Sequence, residues 1–209
     1  MADLAPETAA PETATPGKKR MKPGERRLQI LQTLATMLED PKGERVTTAL
    51  LAQHLQVSEA ALYRHFASKA QMYEGLIDFI ENTIFTLINQ ITERETSGVN
   101  QAGQMVGVLL RFAQANRGMT RVLTGDALVH ENDRLQVRIN QFVDRVEAAI
   151  KQSLRVAASH GEYDAKADLN ARANLIISAV LGRWHRFVKT GFKADPVVGI
   201  DSQLKLLLG

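Results

Sequence analysis

The chain has 209 residues, with 26 Lys and Arg against 23 Asp and Glu, enough for one large domain or for a small domain joined to a larger one. Its 44% hydrophobic and 23% charged content is that of a soluble globular protein, and no apolar run reaches the ~18 residues of a membrane span. The absence of cysteine excludes disulfides, thiol catalysis and cysteine-ligated metal, and it fits a reducing cytoplasm.

The N-terminus is rich in Pro, Ala and Thr and begins acidic, unlike a secretory signal, which begins basic and turns apolar. With so few bulky apolar residues it cannot offset its ordering entropy, so residues 1–22 are expected to be a disordered extension. A basic run follows, Lys18, Lys19, Arg20, Lys22, Arg26 and Arg27, opposed by Glu25. It reads equally as a solvated tail or as an arm seeking phosphate.

Beyond it the periodicity is helical throughout. Leu28, Leu31, Leu34, Ala35 and Leu38 predict a first amphipathic helix ending before Pro41 and Gly43. Thr47, Ser58 and Ser68 each precede an apolar-periodic run in the manner of an N-cap. They predict two very short helices, about 47–54 and 58–65, and a long helix from Ser68 to about Thr92. Further helices are expected over about 101–115, 119–124, 132–158, 165–191 and 200–208, separated at Gly98, Gly118, Gly161 and Pro196. The predicted fold class is all-α: a helix-turn-helix unit over 23–70 and a C-terminal helical dimerisation and partner-binding bundle over 71–209.

Two short helices joined by about three residues and followed by a long one form a helix-turn-helix plan. Leu51, Leu55, Val57, Leu62 and Phe66 can fill the corner beneath, with small Ala52 at the crossing. Ser58, Glu59, Ala60, Tyr63 and Arg64 then face outward, and short polar residues suit the approach to base edges in a major groove. Thr47 and Thr48 can offer hydroxyls and backbone N–H groups to phosphate, and Lys69 adds a cation beside a positive helix end. Gln56 occupies the turn position where glycine usually supplies a positive φ, at a strain cost of about 1 kcal/mol.

The stretch "TTALLAQHLQVSEAALYRHFASK", above all its "LYRHFASK" tail, resembles the DNA-binding region of the TetR family of bacterial regulators. "LIDFIENTI", "RVLTGDALVHENDRLQVRINQFVDRVEA" and "RFVKTGFK" resemble the nucleoid occlusion members of that family. The resemblance spans about residues 25–193. It implies a cytoplasmic, nucleoid-associated homodimer, one or more per site, whose two recognition helices read a palindromic duplex and which restrains the division protein FtsZ. On matching positions it implies a DNA surface made of Thr47, Thr48, Ser58, Ala60, Tyr63, Arg64, His65 and Lys69. For His65, phosphate contact and simple packing remain open.

The resemblance places the FtsZ-facing groove along the long fourth helix and the helix after it. Phe79 lies well off the apolar stripe of Tyr73, Leu76, Ile77, Ile80, Ile84, Leu87, Ile88 and Ile91, so a helix buried on one face would expose it, and one buried on several would not. Phe112 and Asn116 are further candidates. Dimerisation is expected on helices 132–158 and 165–191, with Phe142, Val180, Arg183, Trp184 and Phe187 as interface candidates.

Catalytic signatures are missing: no phosphate loop, dinucleotide fingerprint or H-E-x-x-H pair occurs, and neither cofactor nor metal is expected. His130, Glu131 and Asp133 imitate a metal site, but "HENDR" also reads as a helix cap at Asn132 or Asp133. Two competing functions stay open. One is a ligand-responsive repressor with Met105, Met119, Phe112 and Phe142 around a pocket; the other is a nonspecific nucleoid coat.

Overall fold

The computed structural model describes residues 23–40, 45–164 and 166–209; the expected extension over 1–22, with Lys18, Lys19, Arg20 and Lys22, lies outside them. Among the described residues the regular structure is helical: α1 Pro23–Met37, α2 Thr48–His54, α3 Glu59–Tyr63, α4 Lys69–Arg94, α5 Gly98–Ala115, α6 Arg117–Leu123, α7 Asp133–Ser159, α8 Leu169–Lys189 and α9 Ile200–Leu208, with a 3₁₀ turn at Asp126–Leu128. The caps fall where the sequence puts them. Thr47, Ser58 and Ser68 accept the backbone N–H of Leu50, Ala61 and Gln71, each at 3.2 Å, and Asn132 accepts that of Arg134. Each such cap contributes on the order of 1 kcal/mol to starting its helix where it does.

Helix α4 joins two packing environments. Near its start Met72, Tyr73 and Leu76 are buried with Leu34 of α1, Leu51 of α2 and Leu62 of α3; further along, Ile77, Ile80, Ile84 and Ile88 enter the bundle core. Burying each such aliphatic side chain stabilises the fold by roughly 1.5–3 kcal/mol. Across the α4–α7 contact, Arg134 pairs with Glu74 at 2.8 Å, Arg138 with Asp78 and Glu81, and Arg145 with Glu81. Phe85 and Phe142 meet edge-on at 5.8 Å, with the Arg145 guanidinium 4.1 Å from the Phe85 ring centre.

Two glycines permit contacts that no side chain would. A Cβ on Gly98 would lie 2.2 Å from the Ser153 carbonyl oxygen, and one on Gly118 would lie 2.0 Å from that of Ala35. The first lets α5 start hard against α7; the second presses α6 onto α1. At the first junction Glu162, just past α7, accepts from the Ser97 hydroxyl at 2.6 Å and from the N–H groups of Gly98 and Val99 at 3.0 Å. The Ser97 hydroxyl above all, with those backbone donors, holds the Glu162 carboxyl below its ordinary value of 4.5 against a smaller opposing effect of burial.

A carboxyl whose folded-state pKa is depressed contributes stability above the unfolded value, near 4.5, and loses it as pH falls through the folded value. Glu162→Gln is therefore expected to lower the urea midpoint at neutral pH, with the gap from wild type narrowing on acidification below about pH 4. Paired urea titrations across pH check this; a gap independent of pH would assign Glu162 no charge-dependent role.

Candidate nucleic-acid interface

The corner between α2 and α3 is built as the residue pattern requires. Val57 N–H donates to the Ala52 carbonyl at 3.0 Å, and Leu51, Ala52, Leu55, Leu62 and Phe66 are buried beneath it. Gln56 holds φ = +53°, so a side chain larger than glycine does sit in the left-handed region. The strain is held in place by the bonds on either side of it, Gln56 N–H to Gln53 and Val57 N–H to Ala52.

Above this corner Thr47, Ser58, Glu59, Ala60, Tyr63 and Arg64 are exposed, while Thr48 and His65 are half-buried. The Thr48 hydroxyl donates to Glu59 Oε2 at 2.6 Å, and the Tyr63 hydroxyl makes a long 3.5 Å contact with Thr48 Oγ1. Thr48 therefore joins the first short helix to the second across their outer face. Helix α3 is also gripped from α1: Arg27 Nη1 donates to the His65 carbonyl at 2.6 Å and its guanidinium lies 4.1 Å from the Phe66 ring centre. Arg27, grouped in sequence with a basic run that read equally as a solvated tail or a phosphate-seeking arm, has an internal role as a clamp on α3. The approach of this cation to the Phe66 ring has no local sequence signal, because the partners lie 39 positions apart.

Lys69, expected from the sequence to neutralise phosphate, is engaged within the protein. Its Nζ lies 2.5 Å from Glu131 Oε1 and 5.6 Å from the Tyr73 ring centre. Arg45 approaches the same carboxylate at 3.3 Å and donates to the His130 carbonyl. Glu131, part of the run that only imitates a metal site in the sequence, is thus held between two cations, and it braces the helix-turn-helix head against the segment leading into α7. Burial keeps the nearby Tyr73 hydroxyl protonated far above neutral pH. A second brace comes from Arg121, which donates to the Leu38 and Asp40 carbonyls and pairs with Asp126 at 2.7 Å. Burial alone would raise the Asp126 pKa, but hydrogen bonds from Arg121 and Lys189 outweigh it and hold the carboxyl below the usual range.

The remaining candidates divide by burial. Phe79 is 42% exposed on α4. Phe112 is buried in the core, which corrects its placement on a partner surface, and Asn116 is half-buried at the α5–α6 joint, donating to the Phe112 carbonyl. Phe142, Val180, Trp184 and Phe187 are likewise interior to the protomer. As interface candidates they are corrected for one reason: α7 and α8 each pack on several neighbours, and their apolar stripes are consumed there. Trp184 Nε1 donates to the Leu109 carbonyl at 3.2 Å, a core anchor. Arg183 is turned to the Pro196 and Val198 carbonyls and to Gln203. Met105 and Phe142, expected candidates for lining a pocket, are fully buried, and Met119 is packed against the same core. The large apolar side chains that α7 and α8 do expose are Val137 and Leu175, the latter 58% exposed.

Comparison with known proteins agrees with this geometry. Residues 43–76 match the family profile described as bacterial regulatory proteins, tetR family, and residues 97–209 match one described as the tetracyclin repressor-like, C-terminal domain of SlmA-like proteins. The nucleoid occlusion factor SlmA of Idiomarina loihiensis is 46% identical over 182 residues, 87% of this chain and 93% of its own. That of Vibrio cholerae is 45% identical over 183 residues, with the same two shares. Among solved structures, the fatty acid degradation regulator FadR of Bacillus halodurans superposes with a TM-score of 0.73 at 17% identity, over 92% of this chain and 97% of that one. FadR of Bacillus subtilis, solved with stearoyl-CoA, gives 0.71 at 16%, over 87% and 97%. Likeness at that identity speaks for the fold alone, whereas the SlmA relatives match along most of both chains. The chain belongs to the SlmA family of nucleoid occlusion factors, within the TetR-type bacterial regulatory proteins.

Proposed function

We propose that this protein is a nucleoid occlusion factor: a homodimer that reads a palindromic duplex through α3 and, while bound, opposes assembly of the FtsZ ring over the chromosome. The observation that carries the reading is the outer face of α3, where Ser58, Ala60, Tyr63 and Arg64 stand exposed on a helix fixed by Arg27 and Thr48. Short side chains near the N-terminus let the helix lie close to base edges, while Arg64, Thr47 and the Tyr63 hydroxyl supply backbone contacts that set register. Half-sites about one helical turn apart, roughly 34 Å, suit a two-fold pair of such heads.

The face of α8 that carries Leu175, Ser178, Ala179 and Gly182 is proposed to meet its two-fold copy. Nothing lies within 4 Å of a Cβ built on Gly182, and Leu175 projects beside it, so two helices can approach closely there. The FtsZ surface is proposed to centre on Phe79, with Thr83 and the exposed Leu87 following at four-residue spacing on α4. Exposed aromatic and aliphatic groups in such a row suit an apolar segment of a partner.

Two predictions separate the surfaces. Phe79→Ala, being a change at an exposed position, is expected to leave folding and DNA affinity unaltered and to weaken the effect on FtsZ by about tenfold or more. Light scattering of FtsZ with GTP and the DNA-bound variant checks it; wild-type potency would remove Phe79 from the partner surface. On DNA, Arg64→Ala is expected to lower the slope of log affinity against log salt by about 1, as loss of one phosphate contact does. Lys69→Ala should lower it by less, because Lys69 must leave Glu131 to reach phosphate. Equal slopes for the two variants would contradict that assignment.

A further inference from the structure

We infer that Glu59 is a base-reading residue of the DNA surface, accepting a hydrogen bond from the exocyclic amine of a cytosine in the major groove. The inference rests on the proposal that α3 reads DNA, and it adds the residue that the basic and hydroxyl contacts leave unexplained. Glu59 is the only carboxylate between Arg45 and Glu74. It stands at the first residue of α3, exposed, on the face that carries Thr47, Ser58, Tyr63 and Arg64. An anion there is repelled by the phosphates on either side of the groove, so it weakens every complex in which it finds no donor.

Its geometry suits such a donor. Oε2 accepts the Thr48 hydroxyl at 2.6 Å, and Thr48 Oγ1 lies 3.5 Å from the Tyr63 hydroxyl. This chain holds the carboxylate across the α2–α3 surface and leaves Oε1 without a protein hydrogen bond among the described residues. Of the four bases, cytosine alone offers an amine with no neighbouring major-groove acceptor. Adenine sets N7 beside its amine, guanine presents only N7 and O6, and thymine presents O4 and a methyl group. A carboxylate is therefore matched by cytosine and opposed by the other three. The repulsion from phosphate then becomes a source of discrimination, since sequences lacking that cytosine meet the cost and gain nothing.

The test is enrichment of a random-sequence duplex library by the full-length wild type, Glu59→Ala and Glu59→Gln, each first confirmed to melt as wild type does. Wild type should enrich cytosine at one position in each half-site. Glu59→Ala should lose the preference at that position alone, a discrimination on the order of tenfold, and bind scrambled duplex more tightly. Glu59→Gln, which adds a donor to its acceptor, should move the preference toward adenine. A Glu59→Ala protein that enriches the same sequence at every position would overturn the inference. So would an even loss across all positions, which would make Glu59 a structural support of α3. A wild-type protein that enriches no sequence would instead overturn the DNA-reading proposal on which it rests.

Discussion

Helix α4 has to be buried twice, and most of the architecture follows from that constraint. Its 26 residues run from the N-cap at Ser68 to Arg94. Met72, Tyr73 and Leu76 complete the packing of the head, while Ile77, Ile80, Ile84 and Ile88 belong to the bundle. A helix committed on two sides has little free surface, and Phe79 and Leu87 are the large apolar groups it still exposes. The same continuity makes the orientation of the helix-turn-helix head depend on the bundle. No hinge of glycines separates the two: α4 passes through unbroken, α6 is pressed against α1 at Gly118, and Arg121 holds the last carbonyls of α1.

The ion pairs reinforce this continuity. Glu131 is almost enclosed, with Arg45 and Lys69 on its single engaged oxygen. Removing one partner from a buried pair costs more than the pair itself contributes, because the remaining charge stays desolvated. On the proposed DNA surface, phosphate would recruit Lys69 only by competing with Glu131, which would link the head energetically to the segment before α7. Glu59 is a different kind of charge: exposed, and oriented by the Thr48 hydroxyl on the outer face of α2 and α3. In one case a carboxylate restrains a cation inside the protein; in the other, on the inference drawn above, it would restrict which duplex the protein tolerates.

Local chemistry was legible in the sequence and long-range consumption of surfaces was not. Thr47, Ser58 and Ser68 mark their helix starts because an N-cap depends on a side chain and a backbone N–H two or three residues away. Gln56 could be assigned its positive φ from the spacing of the two short helices alone. The partners of Lys69 and Arg27 lie 62 and 38 positions away and leave no periodic trace. Phe112, Phe142, Val180, Trp184 and Phe187 were misplaced for a related reason. An apolar stripe states that a helix face is buried but not whether the covering helix belongs to the same protomer. Phe79 was left open by the sequence, since a residue off the stripe is exposed only if no other helix covers it; it is 42% exposed, whereas Phe85, also off the stripe, packs edge-on against Phe142.

The central claim is that DNA binding and opposition to FtsZ are properties of one complex. Sedimentation of FtsZ polymerised with GTP tests it directly, comparing protein alone, protein with a duplex it selects, and protein with a scrambled duplex of equal length. The account predicts that pelleted FtsZ falls sharply only with the selected duplex. Equal pelleting in all three would contradict it and leave a DNA-binding protein of the same fold with no effect on the division ring.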